Sequence, residues 1–126
     1  PDPPKEPDGF PPVPSHLDWD LWLGPTRQRP FHPRWLTWHG WRDFGTGNLG
    51  NWASHTNNLA FMALRVDSLW HAGPATKPAI RVETGVDKIN HLSFPRWELV
   101  RWDIPARGEL PALSFYWHNG SRRPGM

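Results

Sequence analysis

Asn48, Asn51, His55 and Asn58 recur at intervals of three, four and three residues. On a helix that spacing puts each side chain one turn above the last. The stripe is polar but uncharged, whereas a solvent-facing stripe normally carries lysine and glutamate. Amides with a histidine suit the wall of a polar cavity. An amide donates to and accepts from hydroxyl groups, and an imidazole moves a proton near neutral pH. Taking the proton from a sugar hydroxyl while hydride leaves to a cofactor is chemistry that such a stripe can serve.

Gly45-Thr46-Gly47-Asn48-Leu49-Gly50 leads into the same helix and spells G-x-G-x-x-G. That pattern cradles a pyrophosphate only after a strand in a βαβ unit. Here it follows an aromatic, proline-bearing loop ending Trp41-Arg42-Asp43-Phe44. Asp67, in Val66-Asp67-Ser68, reads as part of a turn and not as a ribose-binding acid. The glycines are expected to allow a tight turn and a close approach of backbone.

Other chemistries find less support. The seven histidines at 16, 32, 39, 55, 71, 91 and 118 never fall three or four residues apart, so no helical metal pair is present and no metal is expected. Asp43, Glu83 and Glu98 are carboxylates with no evident pairing for glycoside hydrolysis. Ser54 and His55 are adjacent on a helix and point apart, so with Asp67 they make no triad. The ten tryptophans read either as a sugar-stacking platform or as core and interface filling.

The elements that hold the stripe are legible in outline. Asp18 can cap a short helix through Leu23, with Asp20 in its first turn and Gly24-Pro25 stopping it. Residues 26–44 are irregular, and their order requires Phe31, Trp35, Trp38 and Trp41 to pack on something. Asn48 is expected to cap a helix reaching about Arg65, with Leu49, Trp52, Ala53, Leu59, Ala60 and Ala63 on its apolar side. Three strands follow, over 79–84, 97–104 and 113–117. They are separated by turn signals at Gly85-Val86-Asp87 and Ala106-Arg107-Gly108, with Asn119-Gly120 after the last. In the first, Ile80 and Val82 face one way and Arg81 and Glu83 the other. One main helix on a mostly antiparallel sheet gives an α+β class. Three strands leave exposed edges, so further strands are expected beyond residue 126.

Composition bounds the reading. The 126 residues hold one core. Sixteen prolines alone would suggest disorder, but ten tryptophans argue for a folded, loop-rich unit. The net charge of +2 is spread along the chain, and the densest basic cluster is Arg122-Arg123, so no nucleic acid is expected as a partner. The absence of cysteine excludes disulfides and zinc-thiolate sites. No signal peptide or membrane span is evident, and the compartment stays open between cytoplasm and, if a leader was lost, periplasm. Residues 1–16 are proline-rich and read as a linker or an arm lying on a partner domain. The opening Pro1-Asp2-Pro3-Pro4, without an initiator methionine, reads as the start of an internal piece.

Several blocks then carry a family resemblance. Leu17-Asp18-Trp19-Asp20-Leu21-Trp22-Leu23-Gly24-Pro25 resembles a signature of the bacterial Gfo/Idh/MocA oxidoreductases. So does Trp38-His39-Gly40-Trp41-Arg42-Asp43-Phe44-Gly45-Thr46-Gly47-Asn48-Leu49-Gly50-Asn51. Phe94-Pro95-Arg96-Trp97 and Ile104-Pro105-Ala106-Arg107-Gly108-Glu109-Leu110-Pro111-Ala112-Leu113 are also similar, in the same order.

The resemblance implies a two-domain oxidoreductase. An N-terminal Rossmann domain would bind NAD or NADP, and a C-terminal α/β domain with an open, mainly antiparallel sheet would hold a sugar or polyol between the two. Residues 17–126 would be part of that C-terminal domain, with no Rossmann domain in this chain and no cofactor bound by it. The parent is expected to be a homo-oligomer, and the isolated chain inactive. The family's Glu-Lys-Pro lysine has no counterpart, since Lys5 lies in Pro4-Lys5-Glu6-Pro7. The family often carries Asp-x-x-x-His on the helix after the glycine-rich turn, and Asn51 and His55 stand at the matching positions. His55 thereby takes the catalytic or substrate-hydroxyl role. Asn51 and Asn58 would be hydroxyl ligands and Asp43 and Thr46 supports of the loop. His39, where many relatives have arginine, would also line the substrate site. A non-catalytic, tryptophan-rich carbohydrate-binding or assembly module is the alternative.

Overall fold

The computed structural model describes residues 5–71 and 79–120. Arg122 and Arg123 lie outside them. Helix α1 spans Trp19–Leu23, and 3-10 turns follow at Pro33–Leu36 and Trp38–Gly40. Helices α2 (Gly47–Thr56) and α3 (Asn58–Ala63) come next, then a 3-10 turn at Val66–His71. Strands β1 (Arg81–Val86), β2 (Glu98–Ile104) and β3 (Leu113–Asn119) complete the described chain. The sheet runs β1-β2-β3 with both pairings antiparallel, so the α+β expectation holds.

The first layer is aromatic. Asp18 caps α1 by accepting from the Leu21 N–H at 2.9 Å, and Gly24, at φ 56°, ends it. Burying Trp19 and Leu23 brings α1 against Phe31, Trp35 and Trp41, with Trp22 and Phe44 packed on the cluster. The irregular segment is ordered because indole N–H groups take up its carbonyls. Trp19 Nε1 donates to the Arg29 carbonyl at 2.8 Å and Trp41 Nε1 to that of Arg34 at 2.7 Å. The Arg29 guanidinium lies 4.9 Å from the Trp35 ring centre and 5.0 Å from that of Phe44. Its outer end pairs with Asp43. A weakly hydrated planar cation stacks on aromatic faces in this way.

The second layer is helix on sheet. β3 alternates half-buried Leu113, Phe115, Trp117 and Asn119 with exposed Ser114, Tyr116 and His118. Phe61 of α3 meets Phe115 edge-on at 6.1 Å. Arg107, buried in the β2–β3 connection, donates from Nε to the Leu64 carbonyl at 2.6 Å and from Nη1 to those of Pro105 and Pro111. It ties the end of α3 to the hairpin. The arm packs on its own domain: Pro7 is buried and Glu6 pairs with Arg27 at 2.8 Å.

Several local expectations need correction. The helix is not continuous to Arg65; it is interrupted at Asn57, where the single Thr56 Oγ1 proton is shared between the Trp52 carbonyl at 3.0 Å and Asn57 Oδ1 at 3.1 Å. Such side-chain bonds compete with the helical ladder. Asn48 is not the cap. Thr46 holds that place without a side-chain bond, and Asn48 reaches across to β3. The expected apolar side is partly open, with Trp52 51% and Leu59 77% exposed. Asp67, by contrast, lies in a turn as expected, a 3-10 turn.

Candidate functional site

The glycine-rich segment places α2. Gly47, the first residue of α2, sits at φ 71°, and a Cβ there would stand 2.8 Å from Phe94 Cδ1. A Cβ on Gly45 would stand 2.9 Å from the His39 Cα. Both glycines are therefore spent on internal packing. The lead-in closes by turn hydrogen bonds from the Phe44 and Gly45 N–H groups to the Trp41 carbonyl. Among the described residues no strand precedes the motif, and the Phe94 ring occupies one side of the turn. These residues do not fit a dinucleotide pyrophosphate, and the turn is a packing device.

Beyond the turn, Asn48 Nδ2 donates to Asn119 Oδ1 at 3.0 Å, across 71 residues of chain. This bond pins the start of α2 to the end of β3. Asn51 follows, half-buried, and His55 one turn later is exposed, its ring 6.0 Å from that of Trp52. The four residues of the polar stripe are thus divided by the structure. Asn48 turns to the sheet, and Asn51 and His55 share α2. Asn58, past the interruption, lines a different space.

That space is a groove of about 550 Å3 between the helices and the sheet. Leu49, Ala53, Phe61 and Trp102 give it apolar walls, and Ser54, Asn57 and Asn58 line it as well. Sequence reasoning assigned no role to Trp102. Its alternation within β2 placed it on a sheet face, but nothing local showed that this face meets α2 and α3.

The remaining candidates support the loop. Asp43 pairs with the buried Arg29 guanidinium, whose side chain is 6% exposed, and also lines a cavity with His91 and Arg27. Thr46 stands at the start of α2, against the space a Cβ on Gly50 would need. His39 lies in the Trp38–Gly40 turn, its ring edge-on to Trp38 at 5.4 Å. Sequence reasoning missed Trp52 as a neighbour of His55, although their three-residue spacing carries that signal. It also missed Asn119, which no local pattern reveals. Among the described residues no group of three or more histidines and carboxylates is placed to hold a metal ion, and no helix is long and apolar enough to cross a membrane.

The family model described as "Oxidoreductase family, C-terminal alpha/beta domain", of the Gfo/Idh/MocA oxidoreductases, matches residues 6–85, more than half of the 126. The chain belongs to the Gfo/Idh/MocA oxidoreductase family. No curated protein matches it at a significant level. The span that matches the Gfo/Idh/MocA domain holds α1, α2, α3 and every candidate site residue, while β2 and β3 lie beyond it. Two of the quoted blocks, at 17–25 and 38–51, fall inside that span. The blocks at 94–97 and 104–113 do not.

Proposed function

We propose that this chain is the substrate side of an NAD- or NADP-dependent oxidoreductase acting on a sugar or polyol hydroxyl. The observation that carries the reading is His55, exposed on α2 one turn after Asn51, within a domain of this oxidoreductase family. His55 takes up or returns the hydroxyl proton. Asn51 binds hydroxyl groups beside His55, Asn58 binds them from the neighbouring groove that Trp102 walls, and His39 contributes to the substrate side as well. Asp43 and Thr46 hold the loop, Asp43 through Arg29. An amide at Asn51 orients a hydroxyl but neither accepts its proton nor raises the basicity of a neighbouring imidazole as a carboxylate would. The cofactor supplies the hydride acceptor and belongs to a Rossmann domain partnering residues 17–126, with residues 1–16 as the connecting arm. The parent is a homo-oligomer.

The test joins the chain to its cofactor domain and follows sugar-dependent reduction of NAD. His55→Ala is expected to lower kcat about 100- to 10,000-fold, the usual worth of a positioned general base, with unchanged thermal unfolding. Asn51→Asp is expected to raise kcat. An unaltered rate in His55→Ala overturns the role of His55. Saturable, tight NADH binding by the present chain alone contradicts the assignment of the cofactor to another domain.

One observation favours the second reading, a non-catalytic carbohydrate-binding or assembly module: Trp52 is half-exposed beside His55. An indole offers a face for a sugar ring. Oligosaccharide titration followed by fluorescence separates the two. A response that survives His55→Ala but is lost in Trp52→Ala favours the module.

A further inference from the structure

Asn119-Gly120 closes β3 and is the one place in the chain where glycine follows asparagine. In such a pair the backbone nitrogen of the second residue can attack the side-chain amide carbon of the first and close a five-membered ring. A side chain on the second residue crowds that approach, and glycine has none.

The fold imposes the glycine. Gly120 sits at φ 83°, and a Cβ there would run into the Arg96 carbonyl oxygen and stand 2.8 Å from the Trp97 Cα. The pairing of β2 with β3 ends at Glu98 and Asn119. Gly120 is exposed beyond that last rung, and Asn119 is half-buried, so water reaches the pair. A strand end opens locally more easily than a strand interior, which lets the Gly120 nitrogen swing toward the side chain. The other asparagines are less suited. Asn48, Asn51 and Asn58 lie in α2 and α3 and precede Leu49, Trp52 and Leu59, and Asn57 precedes Asn58. Asn90 is followed by His91 and is held on both sides: its Oδ1 accepts from the Leu92 and Ser93 N–H groups and its Nδ2 donates to Ser93 Oγ.

What faces Asn119 decides the consequence. Its Oδ1 accepts from Asn48 Nδ2 at 3.0 Å, and Asn48 is the second residue of α2. That helix begins with no acid in its first turn and no side-chain cap, so none of its own residues offsets the positive end of its dipole. A carboxylate at position 119 still accepts from Asn48, now through a charge-assisted bond stronger than that of a neutral amide. It also sets a negative charge beside the start of α2.

We propose that Asn119 is a site of spontaneous deamidation whose aspartate product is held by Asn48 at the start of α2. The Gly120 nitrogen bonds to the Asn119 Cγ, the Cγ–Nδ2 bond breaks, and ammonia leaves carrying the proton lost by Gly120. Water then opens the succinimide, so that one water is consumed for each ammonia released and nothing is oxidised or reduced. Opening toward aspartate leaves the main chain as it was. Opening toward isoaspartate lengthens it by one carbon at the end of β3.

The test incubates the folded chain at mildly alkaline pH and follows ammonia release and peptide masses. The amide-to-acid mass gain is expected at Asn119 before any other asparagine. Asn119→Asp, which supplies the product directly, should raise the melting temperature by about 1–5 °C at neutral pH, the worth of one carboxylate at a helix start. That gain is present above the carboxylate's unfolded pKa and should vanish below about pH 4. Three results overturn the proposal. One is an intact Asn119 in the folded chain under conditions that convert it in the urea-unfolded chain. Another is earlier conversion at a different asparagine. The third is an unchanged or lower melting temperature in Asn119→Asp at neutral pH, which removes the role of Asn48 and α2 in holding the product.

Discussion

A methyl group at Gly47 meets two obstacles at once, a φ of 71° and the Phe94 ring 2.8 Å away. Gly47→Ala should cost about 1–3 kcal/mol, the range for a strained backbone residue, read as a lower urea midpoint at constant slope. Asp103 makes a second residue-scale prediction. Ser114 Oγ donates to it at 2.6 Å and Arg101 Nε at 2.8 Å. The Ser114 bond and, after it, Arg101 hold its carboxyl below the usual carboxylate range. A depressed folded pKa contributes stability that is present above the unfolded value and is lost as pH falls through the folded one. The loss therefore falls below about pH 4. Asp103→Asn should flatten that part of the acid limb in urea melts and leave the neutral-pH dependence unchanged.

Arg65 belongs to the scale of elements. It sits at φ 50° just after α3, a left-handed stop that glycine normally supplies. Arg65→Gly should raise stability by up to about 1 kcal/mol by relieving the Cβ clash, read as a higher melting temperature. The helix end falls close to the expected Arg65, but the interruption at Asn57 was not legible, because no glycine or proline marks it and Asn57 keeps helical backbone angles. Where the signal is a side chain acting within three residues, as with Asp18 and Leu21, the element was legible. The three strands were legible in outline, though β1 runs to Val86, through the Gly85-Val86 expected as a turn, and a period of two in burial appears only in β3. The role of Asn48 was not legible, since its partner Asn119 lies at the far end of the sheet. Of the polar stripe, the sequence showed that Asn51 and His55 share one helix. It did not show the place of Asn58, which depends on the interruption.

On the scale of the whole molecule, two layers meet through few ties. The aromatic layer holds α1 and the loop after it, and Gly45, Gly47 and Phe94 join it to α2. The helix-on-sheet layer is fastened by Asn48 to Asn119 and by Arg107 to Leu64. His55 stands on the helix between these ties, so its placement reports on both layers. The tryptophans serve mainly as internal packing: Trp19, Trp35 and Trp41 are buried, while Trp38, Trp52 and Trp70 remain substantially exposed. The Trp19 and Trp22 rings stack with centroids 4.9 Å apart and planes 13° from parallel. Two indoles that close couple their electronic transitions, so the folded chain should show a split circular-dichroism band of opposite-signed lobes, absent in Trp22→Phe. The first helix thus carries its own chromophore pair, an optical gauge of the aromatic layer that needs no label, while the exposed Trp52 answers through fluorescence for the neighbourhood of His55.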